Sequence, residues 1–226
     1  MNTATLFAEI AITFTALLVC YRIFGKVGAM AWVGIATVLA NVITAKNADI
    51  LGMSTAIGTV LFASTFLATD ILTECHSAED ARTAVYIGLF ADAMLIISTQ
   101  IALRYVPSAI DYADGAMQTL FALNLRISLA SMVMYFIANM ADVHIFQKMK
   151  AKGGKLWLRN NVATILCNCI ENFGFIALAF AGIYDGQTIL VIAASTSAIE
   201  ILVAVCDTPF LYFARRIAYR RRKATL

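Results

Sequence analysis

Long apolar runs broken by short polar breaks fill this chain, and they fall at 5–24, 27–45, 54–74, 83–105, 118–147, 160–183 and 188–213. Each is near the ~20 residues that an α-helix needs to cross the hydrocarbon of a bilayer. The runs are continuous and do not alternate with period two, so they predict helices and not the strands of a membrane barrel. The clearest breaks are Gly25–Gly28, Asn47–Met53, Pro107–Gly115, Ala151–Lys155 and Tyr184–Gln187. The fifth run is longer than a bilayer requires and should project into the cytoplasm through His144–Lys150. No break is long enough to separate soluble domains, so residues 1–226 are expected to form one transmembrane domain. The expected fold class is all-α: a polytopic membrane helix bundle of about seven spans.

Composition agrees with that pattern. Of the 226 residues 61% are hydrophobic and only 14% charged, and the mean hydropathy is +0.81. A soluble domain of this size has no interior large enough for that much apolar side chain. Met1–Leu6 lacks a basic segment and the first run has no small-residue cleavage pattern, so no removable signal peptide is expected. Five cysteines stand at 20, 75, 167, 169 and 206, and there are two histidines. Cys167 and Cys169 face different ways on a helix and make no metal clamp, so neither metal nor cofactor is predicted.

Charge sets an orientation. With the C-terminal tail in the cytoplasm, that side holds Arg22, Lys26, Arg82, Lys148, Lys150, Lys152, Lys155, Arg159, Arg215, Arg216, Arg220, Arg221, Arg222 and Lys223. The other side holds only Lys46 and Arg104. This asymmetry follows the positive-inside rule, and an odd number of spans then leaves the N-terminus outside. The basic tail is an orientation signal that also meets anionic lipid. It has no aromatic or folded reading module beside it, so no nucleic-acid partner is expected.

Charges at bilayer depth are costly and by default mark function. Glu9, Asp70, Glu74, Asp92, Arg126, Asp142, Glu171, Glu200 and Asp207 lie within or at the edge of the runs. Asp70 and Glu74 stand one helical turn apart and share a face. Arg126 is the one basic residue well inside a run, and it needs a carboxylate, backbone carbonyls or a ligand beside it. Gln100, Asn124, Asn139, Asn168 and Asn172 add two-way hydrogen bonding at similar depths. Acids, amides and an Arg around a cavity suit a flat polar heterocycle, with Phe62, Phe66, Tyr86, Phe121 or Phe173 available to stack on it. The plainer alternative places Asp70, Glu74, Asp142 and Asp207 at the cytoplasmic interface, paired with Arg82, Lys148 or the tail. Glu171 and Glu200 sit at mid-span, where that alternative is weakest. No Lys lies inside a run, which excludes a retinal Schiff base. There is no HExxH motif for an intramembrane metalloenzyme and no Walker A loop for ATP hydrolysis. Transport or substrate capture remains, and no enzymatic activity is predicted.

Four stretches in order resemble the queuosine precursor transporters, a vitamin-uptake-transporter-like family related to the S components of energy-coupling-factor transporters. They are FASTFLATDILTE (62–74), RISLASMVMYFIANMADVHIF (126–146), GGKLWLRNNVAT (153–164) and DTPF (207–210), followed by Arg215 and Arg216. The resemblance implies a six-helix core over 27–213, an extra N-terminal helix at 5–24 and a basic tail at 214–226. It implies uptake across the bacterial inner membrane of a 7-deazaguanine, preQ0, preQ1 or queuine, for salvage into tRNA queuosine. The matching positions are Asp70, Glu74, Arg126, Asp142, Trp157, Arg159, Asn160, Asn161 and Asp207. Expected partners are the small-molecule substrate, the lipid bilayer, and either a second copy in a homodimer or a separate energising module. The alternative is an S-component-like subunit that captures another purine-like compound or vitamin and depends on such a module.

The chain also departs from the family pattern. Where the family resembles YGKKEAR after Glu74, this chain reads HSAEDAR; its Asn168 and Glu171 stand where a Gln and an Asp are usual. Glu200 stands where the last helix usually has a Lys, which reverses a charge at mid-membrane. Two carboxylates facing one cavity at low dielectric cannot both ionise cheaply and call for a proton or a cation. The expected substrate-binding set is therefore Asp70, Glu74, Arg126, Asn168, Glu171, Asn172, Glu200 and Phe66. Asp70 and Glu74 are expected at the inner gate, and Glu171 and Glu200 are expected to set selectivity.

Overall fold

The computed structural model describes residues 2–122, 125–183 and 185–224. Eight helices and one hairpin follow in order: α1 (Asn2–Phe24), α2 (Lys26–Ile43), β1 (Asn47–Ile50), β2 (Met53–Ala56), α3 (Thr59–Cys75), α4 (Ala78–Ala102), α5 (Asp114–Phe121), α6 (Leu125–Ala151), α7 (Leu156–Phe180) and α8 (Gly186–Ala224). Six of them, α1, α2, α4, α6, α7 and α8, are long and apolar enough to cross a membrane. The protein is a polytopic helical membrane bundle.

The third expected span becomes something different. Residues 53–56 pair antiparallel with 47–50, in the register Asn47 opposite Ala56 through Ile50 opposite Met53. The turn between them holds Leu51 at φ 53° and Gly52 at φ 80°, the two left-handed positions that a two-residue hairpin needs. A period-two pattern over four residues is too short to stand out beside the apolar run that follows it. The hairpin leaves α3 only 17 residues, and every one of them is buried except the half-buried Leu61, Phe62 and Glu74. The helix packs against α1, α2, α4, α6 and α8, so it is the axis of the bundle.

The expected 118–147 span is also divided. Residues 118–121 close the short helix α5, whose start is held by Asp111 Oδ1 accepting from the backbone N–H groups of Ala113 (2.6 Å) and Asp114 (3.0 Å). Gln100 serves the connection too, since its Nε2 donates to the Phe121 carbonyl at 2.7 Å. At the other end the expected tail 214–226 is helical as far as Ala224. Pro209 lies inside α8, and its missing N–H leaves a carbonyl one turn earlier without a helical partner.

Helix ends that carry basic residues gather at one end of the bundle. Lys26 pairs with Asp80 at 2.9 Å, Arg82 Nη2 donates to Gln147 Oε1 at 3.1 Å, and Arg221 Nη1 donates to the Tyr21 carbonyl at 3.1 Å. The hairpin lies at the opposite end. Close approach of α4 to α6 depends on Gly88, because a Cβ there would overlap the Tyr135 hydroxyl.

Candidate functional site

A cavity of about 400 Å³ lies in the hairpin half of the bundle. α2 supplies Thr37, Asn41 and Thr44, the hairpin Asn47 and Thr55, α3 Thr59 and Phe62, and α4 Asp92. α6 supplies Ser131 and Tyr135, α7 Glu171, Asn172 and Phe175, and α8 Thr196 and Glu200. Helical spacing explains the convergence: Thr37 and Asn41, Ser131 and Tyr135, and Thr196 and Glu200 are each four residues apart and so share a face.

The carboxylates are held by amides. Asn172 Nδ2 donates to Glu200 Oε2 at 2.5 Å and to Ser197 Oγ at 3.3 Å. Asn41 Nδ2 donates to Asp92 Oδ1 at 2.8 Å and to the Thr37 carbonyl at 3.1 Å. Glu171 Oε2 has no hydrogen-bond partner among the described residues. Three acids therefore line one cavity, and no Lys, Arg or His is among the described residues lining it. Phe62 and Tyr135 meet edge to face, with ring centroids 6.1 Å apart, and they give the cavity an aromatic wall. The volume and the mix of aromatic and polar groups suit one small heterocycle.

Of the expected binding set, the structure brings Glu171, Asn172 and Glu200 together in this cavity. It does not bring Phe66, Asp70, Glu74 or Asn168 to the cavity wall. Phe66 is fully buried with Ala138 and Cys167 in an apolar layer beneath it. Asn168 is buried at the level of that layer on α7. Asp70 lies one turn below Phe66, fully buried with Asp142 and Asp207. The side chain of Arg126, along with Asn124 and Tyr184, lies outside the described residues.

Glu74 stands at the basic end, where Arg159 Nη2 donates to its Oε2. Lys150 Nζ and Arg215 Nε approach its two oxygens at 3.7 Å. Lys150 Nζ also donates to the carbonyls of Thr73 (2.6 Å) and Glu74 (2.8 Å), which caps the C-terminus of α3 with a cation. Arg159 further donates to the Gly154 carbonyl at 3.0 Å and lies over the Phe146 ring, 5.2 Å from its centroid. One carboxylate of α3 thus gathers cations from α6, α7 and α8. Of the alternative partners Arg82, Lys148 and the tail, only the tail reaches Glu74, through Arg215; Arg159 and Lys150 take the remaining places.

Asn41, Thr37, Tyr135 and Ser131 were not among the candidate residues read from the sequence. Their signal is the i, i+4 spacing of polar groups within runs that otherwise read as plain apolar spans.

The family model described as "Putative vitamin uptake transporter" matches residues 56–214, from the end of the hairpin to α8. The chain belongs to this family of vitamin uptake transporters. It is 32% identical over 209 residues to the "Probable queuosine precursor transporter" of Bacillus subtilis (strain 168), covering 91% of each chain. It is 30% identical over 145 residues to the "Queuosine precursor transporter" of Escherichia coli (strain K12), covering 62% of this chain and 64% of that one. A "Probable queuosine precursor transporter" of Haemophilus influenzae is 27% identical over 124 residues, 54% of this chain and 51% of the relative. No solved structure matches the chain.

Proposed function

We propose that this protein imports a queuosine precursor, a 7-deazaguanine, across the bacterial inner membrane, and that the cavity of Glu171, Asn172 and Glu200 is where the substrate binds. The names of the relatives support the substrate class. The observation that carries the reading at this chain's own site is the set of three acids lining a cavity with amides and an aromatic wall. A 7-deazaguanine offers ring N–H and amino donors that carboxylates accept, and a flat face that aromatic rings cover.

The acid-rich lining favours the amine-bearing precursors preQ1 and queuine over the neutral nitrile preQ0. A protonated amine between Glu171 and Glu200 offsets two like charges that would otherwise repel in low dielectric. The decisive experiment is growth of a host that can neither make nor salvage queuosine, carrying this gene and fed each precursor. Queuosine in its tRNA with preQ1 or queuine is the expected outcome, and no modification from any precursor overturns the reading. Running the assay in a host without an energy-coupling-factor ATPase separates a self-sufficient carrier, which still imports, from a capture subunit, which does not.

A further inference from the structure

Beneath the cavity lies a second polar cluster that substrate recognition does not use. Asp70 of α3, Asp142 of α6 and Asp207 of α8 are each 0% exposed. The three carboxyls are near enough to act on one another electrostatically and so form one buried cluster. No donor among the described residues reaches either oxygen of Asp70, Oδ2 of Asp142 or Oδ2 of Asp207. Thr164 Oγ1 touches Asp142 Oδ1 only at 3.5 Å, whereas Asn160 Nδ2 donates to Asp207 Oδ1 at 2.6 Å.

An independent orphan points the same way. Asn160 is itself 0% exposed, and its Oδ1 has no donor among the described residues. Acceptors therefore outnumber donors in a dry site, which is costly unless something supplies hydrogen-bond donors or positive charge. Arg159 is close enough to act on Asp70 as a positive charge, but its Nη groups donate to Glu74 and to the Gly154 carbonyl and it makes no hydrogen bond to the cluster. The other ionisable groups facing the cluster are the thiols Cys167 of α7 and Cys206 of α8, and neither is a cation. Lys150 of α6 and Arg215 of α8 turn to Glu74. α1, α2 and α4 bring no charged group to it: Tyr21 is bonded to His76, and Lys26 and Arg82 bind Asp80 and Gln147. Among the described residues no three acids, histidines or cysteines are spaced to hold a metal ion. A proton fits where a metal ion does not, since it turns one carboxylate into the donor its neighbour lacks.

We propose that Asp70, Asp142 and Asp207 form a proton-binding site that couples substrate uptake to a proton gradient. Location supports the role. The layer of Phe66, Ala138 and Cys167 separates the cluster from the cavity, and the Arg159–Glu74 pair closes it towards the basic end. Along α7 a polar stripe of Glu171, Asn168, Thr164 and Asn160, at intervals of three or four residues, runs past that layer from substrate to proton site. Movement of one layer would expose the cluster to either side in turn.

This inference rests on the transport reading above, and two measurements separate their failures. Full-length protein in liposomes, with the membrane potential clamped, is given labelled preQ1 or queuine. Acid outside should raise accumulation about tenfold per pH unit for one proton per substrate, and a protonophore should abolish it. Asp142→Asn should remove the response to the pH gradient; Asp70→Asn serves if that variant misfolds by circular dichroism. Accumulation indifferent to the gradient, driven by sodium instead, or retained in the Asn variants overturns the proton site. Failure of the wild type to move either compound in any condition overturns the transport reading. The proton site is then judged by infrared titration of the purified protein. A protonated-carboxyl band that titrates with pH and is lost in Asp142→Asn supports it, and its absence overturns it.

Discussion

At the scale of single residues the molecule separates two kinds of buried acid. Glu74 has its charge met by Arg159, Lys150 and Arg215, and its role is to hold helix ends together. Glu200 instead keeps a single neutral donor, Asn172, and faces open space beside Glu171. A cationic amine placed there gains a charge-assisted hydrogen bond, an interaction worth about 1.5–3 kcal/mol. Replacing Glu200 by Gln keeps the shape and removes the charge. The variant should therefore bind preQ1 about ten- to a hundredfold more weakly while preQ0 changes little. Competition binding to purified protein reads this directly, and equal losses for both ligands would refute the charge-selection account. The sequence already marked Glu200, Glu171 and Asn172 by their depth. Asp92 was marked by its depth too, but Asn41 was passed over because the one polar pair it makes with Thr37 does not stand out in a helix that otherwise reads as a plain apolar span. Only folding brings Asn41 and Asp92 within 2.8 Å.

At the scale of elements the central fact is that α3 is short and almost wholly enclosed. Its length follows from the hairpin, and its hold on the bundle runs through Glu74 at its last turn. Side chains of Arg159 and Glu74 are 9% and 6% exposed, so removing one leaves the other desolvated and underpaired. Arg159→Met should cost about 1.5–3 kcal/mol, since Lys150 and Arg215 remain beside Glu74, whereas the double variant with Glu74→Met should recover much of that loss by replacing a buried pair with apolar contacts. Thermal unfolding in detergent checks it. A double variant no more stable than the single would mean that Arg159 acts through Phe146 and Gly154 and not through Glu74. The long helices were legible from the apolar runs, because twenty apolar residues in a row have few other solutions. The division at 118–147 was not legible, since α5 carries the same apolar composition as the helix after it. Neither was the position of Phe66: a stripe of Phe62, Phe66, Asp70 and Glu74 on one helix face passes through cavity, apolar layer, acid cluster and ion-pair hub in turn. Sequence shows the stripe but not where each layer begins.

At the scale of the whole molecule, charge and cavity are arranged along one axis. The three carboxylates of the cavity lie towards the hairpin, and most of the lysines and arginines crowd the other end. If α3 is counted with the six helices long and apolar enough to cross, seven crossings result, and the proposed arrangement puts the two termini on opposite faces. We propose that the basic face, with the α8 extension bearing Arg215, Arg216, Arg220, Arg221 and Lys223, lies in the cytoplasm, as the positive-inside rule favours. Anionic lipid there would hold the extension at about 1 kcal/mol per basic side chain. In that orientation the hairpin half with its cavity lies towards the outside, the side from which the proposed importer would load. Thiol labelling tests the arrangement in cells. With the five native cysteines replaced, Tyr112→Cys, 97% exposed in the loop before α5, should react with an impermeant reagent added outside. Lys152→Cys, exposed between α6 and α7, should react only after the membrane is permeabilised. The reverse pattern would put the acid-lined cavity on the cytoplasmic face and turn the same architecture into an exporter.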